Sequence, residues 1–151
     1  MAWGRSGVRV PLGPQMKIFI ICSKKFYSLI PSIQKELENL GHKLTFPNTY
    51  PDTNIEDKFR VVSEKERAMW KSTMFKKSLE SVDKNDAILV LNFDKGDYKN
   101  YIGGATFLEM YDAFRLNKKI FLYNPIPEGI LKDEIDGFCP IIIEGDLNRI
   151  K

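Results

Sequence analysis

The sequence predicts an α/β domain built on a doubly wound parallel sheet of about five strands. Three observations predict it. Short apolar runs recur at 18–22, 87–91, 120–123 and 141–143. These runs are continuously apolar rather than alternating, as strands covered on both faces are. The stretches between them carry apolar residues at helical spacing, and strands alternating with helices are the pattern of a parallel sheet.

Residues 17–22 read as the first strand, from the run Ile18-Phe19-Ile20-Ile21-Cys22. Ser23, Lys24 and Lys25 form the turn after it. A helix follows to about Leu40, with Leu29, Ile33, Leu37 and Leu40 at helical spacing. Pro31 fits only in a first turn, so the regular helix starts near Ile30, and Gly41 stops it. Residues 42–46 form a short second strand, ended by Pro47, and 48–56 a polar loop. A long, charged, amphipathic helix is expected over about 63–82, with Met69, Phe75, Leu79 and Val82 on its apolar side.

Residues 87–91 read as the third strand and 93–100 as a polar loop. The next helix begins near Ala105, after Gly103-Gly104, and ends at Asn117-Lys118-Lys119. The fourth strand, 120–123, leads to the rigid loop Asn124-Pro125-Ile126-Pro127. A helical turn over 129–135 and a last strand at 141–143, introduced by Pro140, complete the chain. The arrangement is a single-domain, flavodoxin-like layer, and every loop that follows a strand lies on one edge. Those loops are 23–27, 47–52, 92–104 and 124–128.

Composition bounds the function. A chain of 151 residues is long enough for one domain with a substantial core. Its net charge of +3, without a dense Lys/Arg block, argues against a nucleic-acid polymer as partner. No apolar run approaches the roughly 20 residues of a membrane-spanning helix. Cys22 and Cys139 lie far apart without CxxC spacing and read as reduced thiols of a cytoplasmic protein. No His, Cys and carboxylate cluster has metal spacing, and no cofactor is expected. Lone His42 reads as a strand-start residue.

Residues 1–15 differ from the rest. They hold Arg5 and Arg9, no acid, and a Gly/Pro-rich run. They lack the apolar segment of a signal peptide, and their prolines oppose a transit helix. Gly7-Val8-Arg9-Val10-Pro11 is what the T-arm of a transfer-RNA gene would encode when read in frame. The expectation is a disordered or spurious extension, with the domain occupying 16–151 and starting at Met16.

The carboxyl edge of the sheet excludes several occupants. Neither a P-loop nor a GxGxxG fingerprint is present, since the first turn is Ser-Lys-Lys. A receiver domain would need carboxylates after the first strand. A low-molecular-weight phosphatase would need arginine six residues after its cysteine, and position 28 is serine. What remains is the stretch Tyr101-Ile102-Gly103-Gly104-Ala105-Thr106-Phe107-Leu108-Glu109, a glycine turn opening a helix. Backbone N–H groups at such a helix start are open to ligands. On a helical wheel Phe107, Met110, Tyr111 and Phe114 form the core face, with Glu109, Asp112 and Arg115 roughly opposite. From the wheel alone, that second stripe reads as an ordinary solvated face.

Residues 103–113, following the strand-like run Asn85-Asp86-Ala87-Ile88-Leu89-Val90, resemble the nucleoside 2-deoxyribosyltransferase superfamily, which includes 2-deoxynucleoside 5-phosphate N-hydrolases. The carrying pattern is glycine, a short spacer, glutamate, a hydrophobic residue, two residues and alanine. The strand ending Ile21-Cys22-Ser23 is similar to the small-residue turn beside the substrate phosphate in the hydrolase branch. The resemblance covers 16–143.

By resemblance, Glu109 is the nucleophile at the glycosidic carbon of a nucleoside or nucleoside 5-monophosphate. Asp112 would raise the Glu109 pKa, and Tyr101 would donate a hydrogen bond to the carboxylate or the sugar. Gly103 and Gly104 would form the ligand turn. Cys22, Ser23, Lys24 and Lys25 would surround a 5-phosphate, with a solvated turn as the equal alternative. Asn92 and Asp94 would hold the ribose, and Asn48 and Tyr50 would read the base, unless all four only satisfy local turns.

Transferases carry a sugar-holding aspartate where this chain aligns Ser78. That, with Lys24 and Lys25, favours hydrolysis of a monophosphate over base exchange. The superfamily also implies a homo-oligomer, with the helix around Trp70 as its interface. The alternative is a non-catalytic nucleotide-sensing module.

Overall fold

The fold comes from a computed structural model that describes residues 15–52, 54, 58 and 62–151. The leader expected at 1–15 therefore lies outside the described residues except for Gln15. Positions 53, 55 and 56 of the expected polar loop are outside them too.

Five strands form one sheet in the order β2-β1-β3-β4-β5, with every neighbouring pair parallel. They are β1 (Lys17–Ile21), β2 (Lys43–Thr45), β3 (Ala87–Val90), β4 (Lys119–Leu122) and β5 (Ile141–Ile142). This is the flavodoxin-like order expected of a doubly wound sheet. Register aligns Ile20 with Leu89 and Leu89 with Phe121, so one row of large side chains crosses the sheet.

The continuously apolar strands supply two cores, because alternate residues point to opposite faces. Ile18, Ile20, Leu89 and Phe121 face one way, against Ile30, Ile33 and Leu37 of α1 (Ile30–Asn39). Phe19, Ile21, Ile88 and Val90 face the other way, with Val82 of α2 (Glu64–Asp83) and Met110 and Ala113 of α3 (Gly104–Arg115). Each fully buried Ile, Leu or Phe contributes about 1.5–3 kcal/mol over exposure. Ile135 of the short α4 (Lys132–Gly137) joins the second core.

Local chemistry explains where the helices start. Pro31 sits in the first turn of α1, where its missing N–H costs nothing. A 3-10 turn, Lys24–Leu29, precedes it, capped by the Ser23 hydroxyl. Ser63 caps α2 by accepting from the Glu66 N–H at 3.1 Å, and its hydroxyl returns to the Glu66 carboxylate at 3.2 Å.

Two expectations are corrected. Of the apolar positions assigned to α2, only Val82 is buried; Met69 is 62% exposed, and Phe75 and Leu79 are exposed as well. The face turned to the core is instead Ser78, Ser81 and Val82, which leaves Phe75 and Leu79 to the side. Met69 is exposed by length: twenty residues of helix span about 30 Å, whereas strands of four or five residues span about half that. The helix runs back from the carboxyl edge, so its amino-terminal end overhangs that edge. On α3 the core face is Thr106, Met110 and Ala113. Phe107 packs at the border of that core, and with the exposed Tyr111 and Phe114 it surrounds Phe138, ring centroids 5.4–6.2 Å away. Glu109 consequently faces α2 rather than open solvent.

Candidate functional site

A cavity of about 440 Å³ opens at the carboxyl edge, between the end of β1, the amino end of α3 and the middle of α2. Ser23, Lys24 and Lys25 border it from the β1 turn, with Cys22 beneath them. Gly103 and Gly104 border it from the start of α3, and Glu109 and Asp112 from the next turns of that helix. Tyr101 and Lys95 reach it from the loop after β3. The fold thus brings ten of the thirteen expected site residues around one space, Asn48 among them.

Asn92 and Asp94 do not line it. Asn92 is fully buried, and its amide donates to the Asn124 carbonyl at 2.9 Å and the Pro125 carbonyl at 3.1 Å. Its side-chain oxygen accepts from the Asn124 N–H at 2.9 Å, and its own carbonyl accepts from the Asn124 amide at 3.0 Å. The exposed Asp94 accepts from the Asn100 N–H at 3.0 Å and pairs with Lys99 at 3.1 Å. Those two partners, the backbone N–H first, hold its carboxyl below the usual carboxylate range. Both residues shape loops instead of facing the cavity.

The loop that Asp94 ties down delivers Tyr101. Asn100 takes a left-handed conformation, φ 52°, and the Tyr101 N–H then donates to the Phe93 carbonyl at 2.8 Å. The ring lies under the Lys95 ammonium at 4.4 Å. A Cβ on Gly103 would stand 3.2 Å from the Tyr101 hydroxyl, so glycine there admits the ring against the helix start. No side chain caps α3, and its first turn presents bare backbone beside the cavity.

Glu109 is the chemically distinctive group. The residue is half-buried, and its carboxyl is enclosed deeply enough to be pushed up to about 7. Burial is the main cause; the nearby Asp112 charge adds to it. The polar Ser78 side chain and the Lys71 charge oppose the rise. Asp112 is itself held by Arg115 at 2.7 Å. The Cys22 thiol is pushed up to about 12, by burial first and then by the Glu109 charge, so it is neutral and unreactive.

Sequence reasoning missed the contribution of α2. Ser78 and Lys71 border the same space as Glu109, and Trp70, Met74 and Phe75 form an apolar wall. Trp70, expected at a subunit contact, lines the cavity. Asn48, expected to read a base, donates to the Met74 carbonyl at 3.1 Å and to the Ser78 hydroxyl at 3.0 Å. Tyr50 packs against Phe46 and Tyr27. The alignment of Ser78 with a sugar-holding aspartate was the one sequence signal for this wall.

Four lysines, Lys24, Lys25, Lys71 and Lys95, border the cavity against the two carboxylates Glu109 and Asp112. The excess of positive charge suits an anionic ligand, and the apolar wall suits a flat ring. Among the described residues no group of His, Cys and carboxylates is arranged to hold a metal ion, and no helix is long and apolar enough to cross a membrane.

No protein-family model matches the chain, and no curated protein matches it. A solved structure of a 2-deoxyribosyltransferase from the psychrotolerant bacterium Bacillus psychrosaccharolyticus is similar to it at 21% identity, with a TM-score of 0.49, over 70% of each chain.

Proposed function

We propose that this protein hydrolyses the N-glycosidic bond of a nucleoside 5-monophosphate, with Glu109 as nucleophile. The observation that carries the reading is the Glu109 carboxyl itself: enclosed, pushed up to about 7, and facing a lysine-bordered cavity at the bare start of a helix. Perturbed carboxyls in clefts are the groups that acid–base and nucleophilic chemistry needs.

In this reading the phosphate lies among Lys24, Lys25 and the α3 amino end, and the base stacks toward Trp70 and Phe75. A Glu109 oxygen bonds to the sugar C1 as the C1–N bond breaks. The base leaves with the bonding pair and takes up a proton from solvent. Water then cleaves the glycosyl ester, which returns the carboxylate and a sugar 5-phosphate. Transfer to a second base would share the first half of this sequence. Ser78, neutral where a carboxylate would grip the sugar, supports hydrolysis over transfer.

The ionised form of Glu109 is the reactive one, so turnover should rise with pH through about 7. The test is chromatography of free base after incubating wild type and Glu109→Gln with ribo- and deoxyribonucleosides and their monophosphates. Base released by wild type alone, and faster from monophosphates, supports the reading. Calorimetric binding of a monophosphate without product would instead favour a nucleotide-sensing module. The homo-oligomer implied by resemblance belongs to the same proposal; the exposed Met69, Phe75 and Leu79 of α2 support it, and sedimentation measures it.

A further inference from the structure

The loop after β3 is tied along its whole length. At its base the Tyr101 N–H donates to the Phe93 carbonyl at 2.8 Å, and the Asp94 carboxylate accepts from the Asn100 N–H at 3.0 Å. At its tip Lys95 and Tyr98 exchange backbone hydrogen bonds of 2.9 and 3.0 Å around a two-residue turn. Gly96 takes the left-handed φ of 59° that such a turn needs. The loop carries two lysines, and Asp94 pairs with the distant one. It adjoins Lys95 in sequence, yet its second oxygen accepts from the exposed Lys99 at 3.1 Å. Lys95 is half-buried, lies over the Tyr101 ring at 4.4 Å and borders the cavity. Among the described residues it forms no ion pair. Asp112, which borders the same cavity, is held by Arg115 at 2.7 Å. A ring face attracts an ammonium through its quadrupole but carries no net charge. Tyr101 therefore fixes Lys95 in place and leaves its charge to a ligand, where a carboxylate would cancel it.

We propose that Lys95 is a substrate-binding residue for the 5-phosphate, presented by the hairpin that Asp94 clamps. This rests on the reading of the substrate as a nucleoside 5-monophosphate. Tyr101 sets the wall from which the ammonium enters, because its hydroxyl stands 3.2 Å from where a Cβ on Gly103 would lie. Lys95 thus approaches from the α3 side of the cavity, whereas Lys24 and Lys25 approach from the turn after β1. A phosphate between them meets cations on two sides. An ammonium with three donors suits a phosphate oxygen. The loop is ordered when the chain folds, so binding does not have to freeze it. Lys95 therefore sets specificity: it attracts a monophosphate and adds nothing for the uncharged nucleoside.

The experiment titrates inorganic phosphate into nitrogen-15-labelled full-length protein and follows the backbone amides of residues 103–106. Lys95→Gln should weaken phosphate binding about tenfold, the loss of one charge-assisted contact. Lys95→Arg, which keeps the charge over the ring, should stay within about threefold of wild type. Lys35→Gln, the same charge change on the exposed side of α1, should leave binding unchanged. Asp94→Ala keeps Lys95 but frees the loop, and should fall between wild type and Lys95→Gln. In turnover, Lys95→Gln should raise KM for a monophosphate about tenfold and leave the rate with the matching nucleoside unchanged. A residue that only packs on Tyr101 would lower both alike. Circular dichroism checks folding, and glutamine retains part of the stem that covers the ring.

Phosphate binding unchanged in Lys95→Gln, or weakened equally in Lys35→Gln, would overturn the proposal, as would a wild type whose amides do not respond to phosphate. If Lys95→Gln loses phosphate but wild type releases no base from any nucleotide, the anion-binding role of Lys95 stands and the hydrolase reading fails. If wild type releases base and Lys95→Gln keeps its KM for monophosphates, the reverse holds.

Discussion

At the β3–β4 end of the carboxyl edge, Asn92 sits fully buried, with both amide protons and its side-chain oxygen engaged within the fold. At the β1–α3 end of the same edge, Glu109 is enclosed but poorly compensated, and the start of α3 is left uncapped. Both ends place polar side chains just beyond parallel strands, where ligands bind in such folds. They differ in whether complementary groups lie within reach. Asn124 offers Asn92 a matching set of donors and acceptors, and the pair closes the β3 and β4 loops together. Glu109 has the charges of Asp112 and Lys71 acting in opposite directions, and it borders the cavity. Satisfied polarity holds a fold together; unsatisfied polarity beside a cavity is available to a ligand.

The sharpest way to break this comparison is Glu109→Gln. On the proposed hydrolase reading, base release should fall by about a thousandfold or more, the loss expected when a nucleophile is removed. Stability should move the opposite way. The Glu109 carboxyl binds its proton more tightly folded, at about 7, than unfolded, near 4.5. Its favourable contribution is therefore fully present below about pH 4.5 and is lost as pH rises through 7. Glutamine carries no such loss, so the variant should be more stable at pH 8, by up to roughly 3 kcal/mol. Urea unfolding at pH 4 and pH 8 measures this, and identical pH dependence in the two proteins would contradict it.

Asn92→Ala probes the other end. Removing the side chain leaves the Asn124 N–H and the Asn124 and Pro125 carbonyls without their partner, and should cost about 3 kcal/mol in urea unfolding. A loss below 1 kcal/mol would mean that the clamp adds little. Gly103→Ala is milder. Its Cβ would press on the Tyr101 hydroxyl at 3.2 Å, while the backbone there, φ −83°, accepts alanine without strain. Nucleotide turnover should fall about tenfold, with stability changed by less than 1 kcal/mol.

The smallest effect concerns the cysteines. Iodoacetamide at pH 8 should label the exposed Cys139 and spare Cys22, whose thiol is pushed up to about 12. Peptide mass spectrometry reads the two sites separately. Equal labelling would show that the floor of the cavity is wetter than its geometry implies.

The strands were legible within a residue or two because their signal is local: Ile18 to Ile21 and Ala87 to Val90 are uninterrupted apolar runs. The start of α1 was legible from Pro31, whose ring constrains its own turn. The helical wheel of α3 failed, because it assumed a single buried side. Phe138 from α4 gives Phe107, Tyr111 and Phe114 a second packing surface, and the core takes Thr106, Met110 and Ala113. The cavity was half legible. Its glycine turn, Glu109 and the lysines after β1 could be read from the chain, but its α2 wall could not, since an overhang depends on the sheet's width and length together.

By itself, then, the sequence determined the parallel sheet, the order of its elements and the edge on which the polar loops gather, because apolar runs, helical spacing and Gly/Pro punctuation act over a few residues. Tertiary structure alone decided that Asn92 is a clamp, that Asp94 folds back on its own loop, and that Asn48, Ser78 and Glu109 border one cavity from three elements. Burial and hydrogen-bond competition set the charge state of a side chain, and both depend on neighbours that only folding brings near.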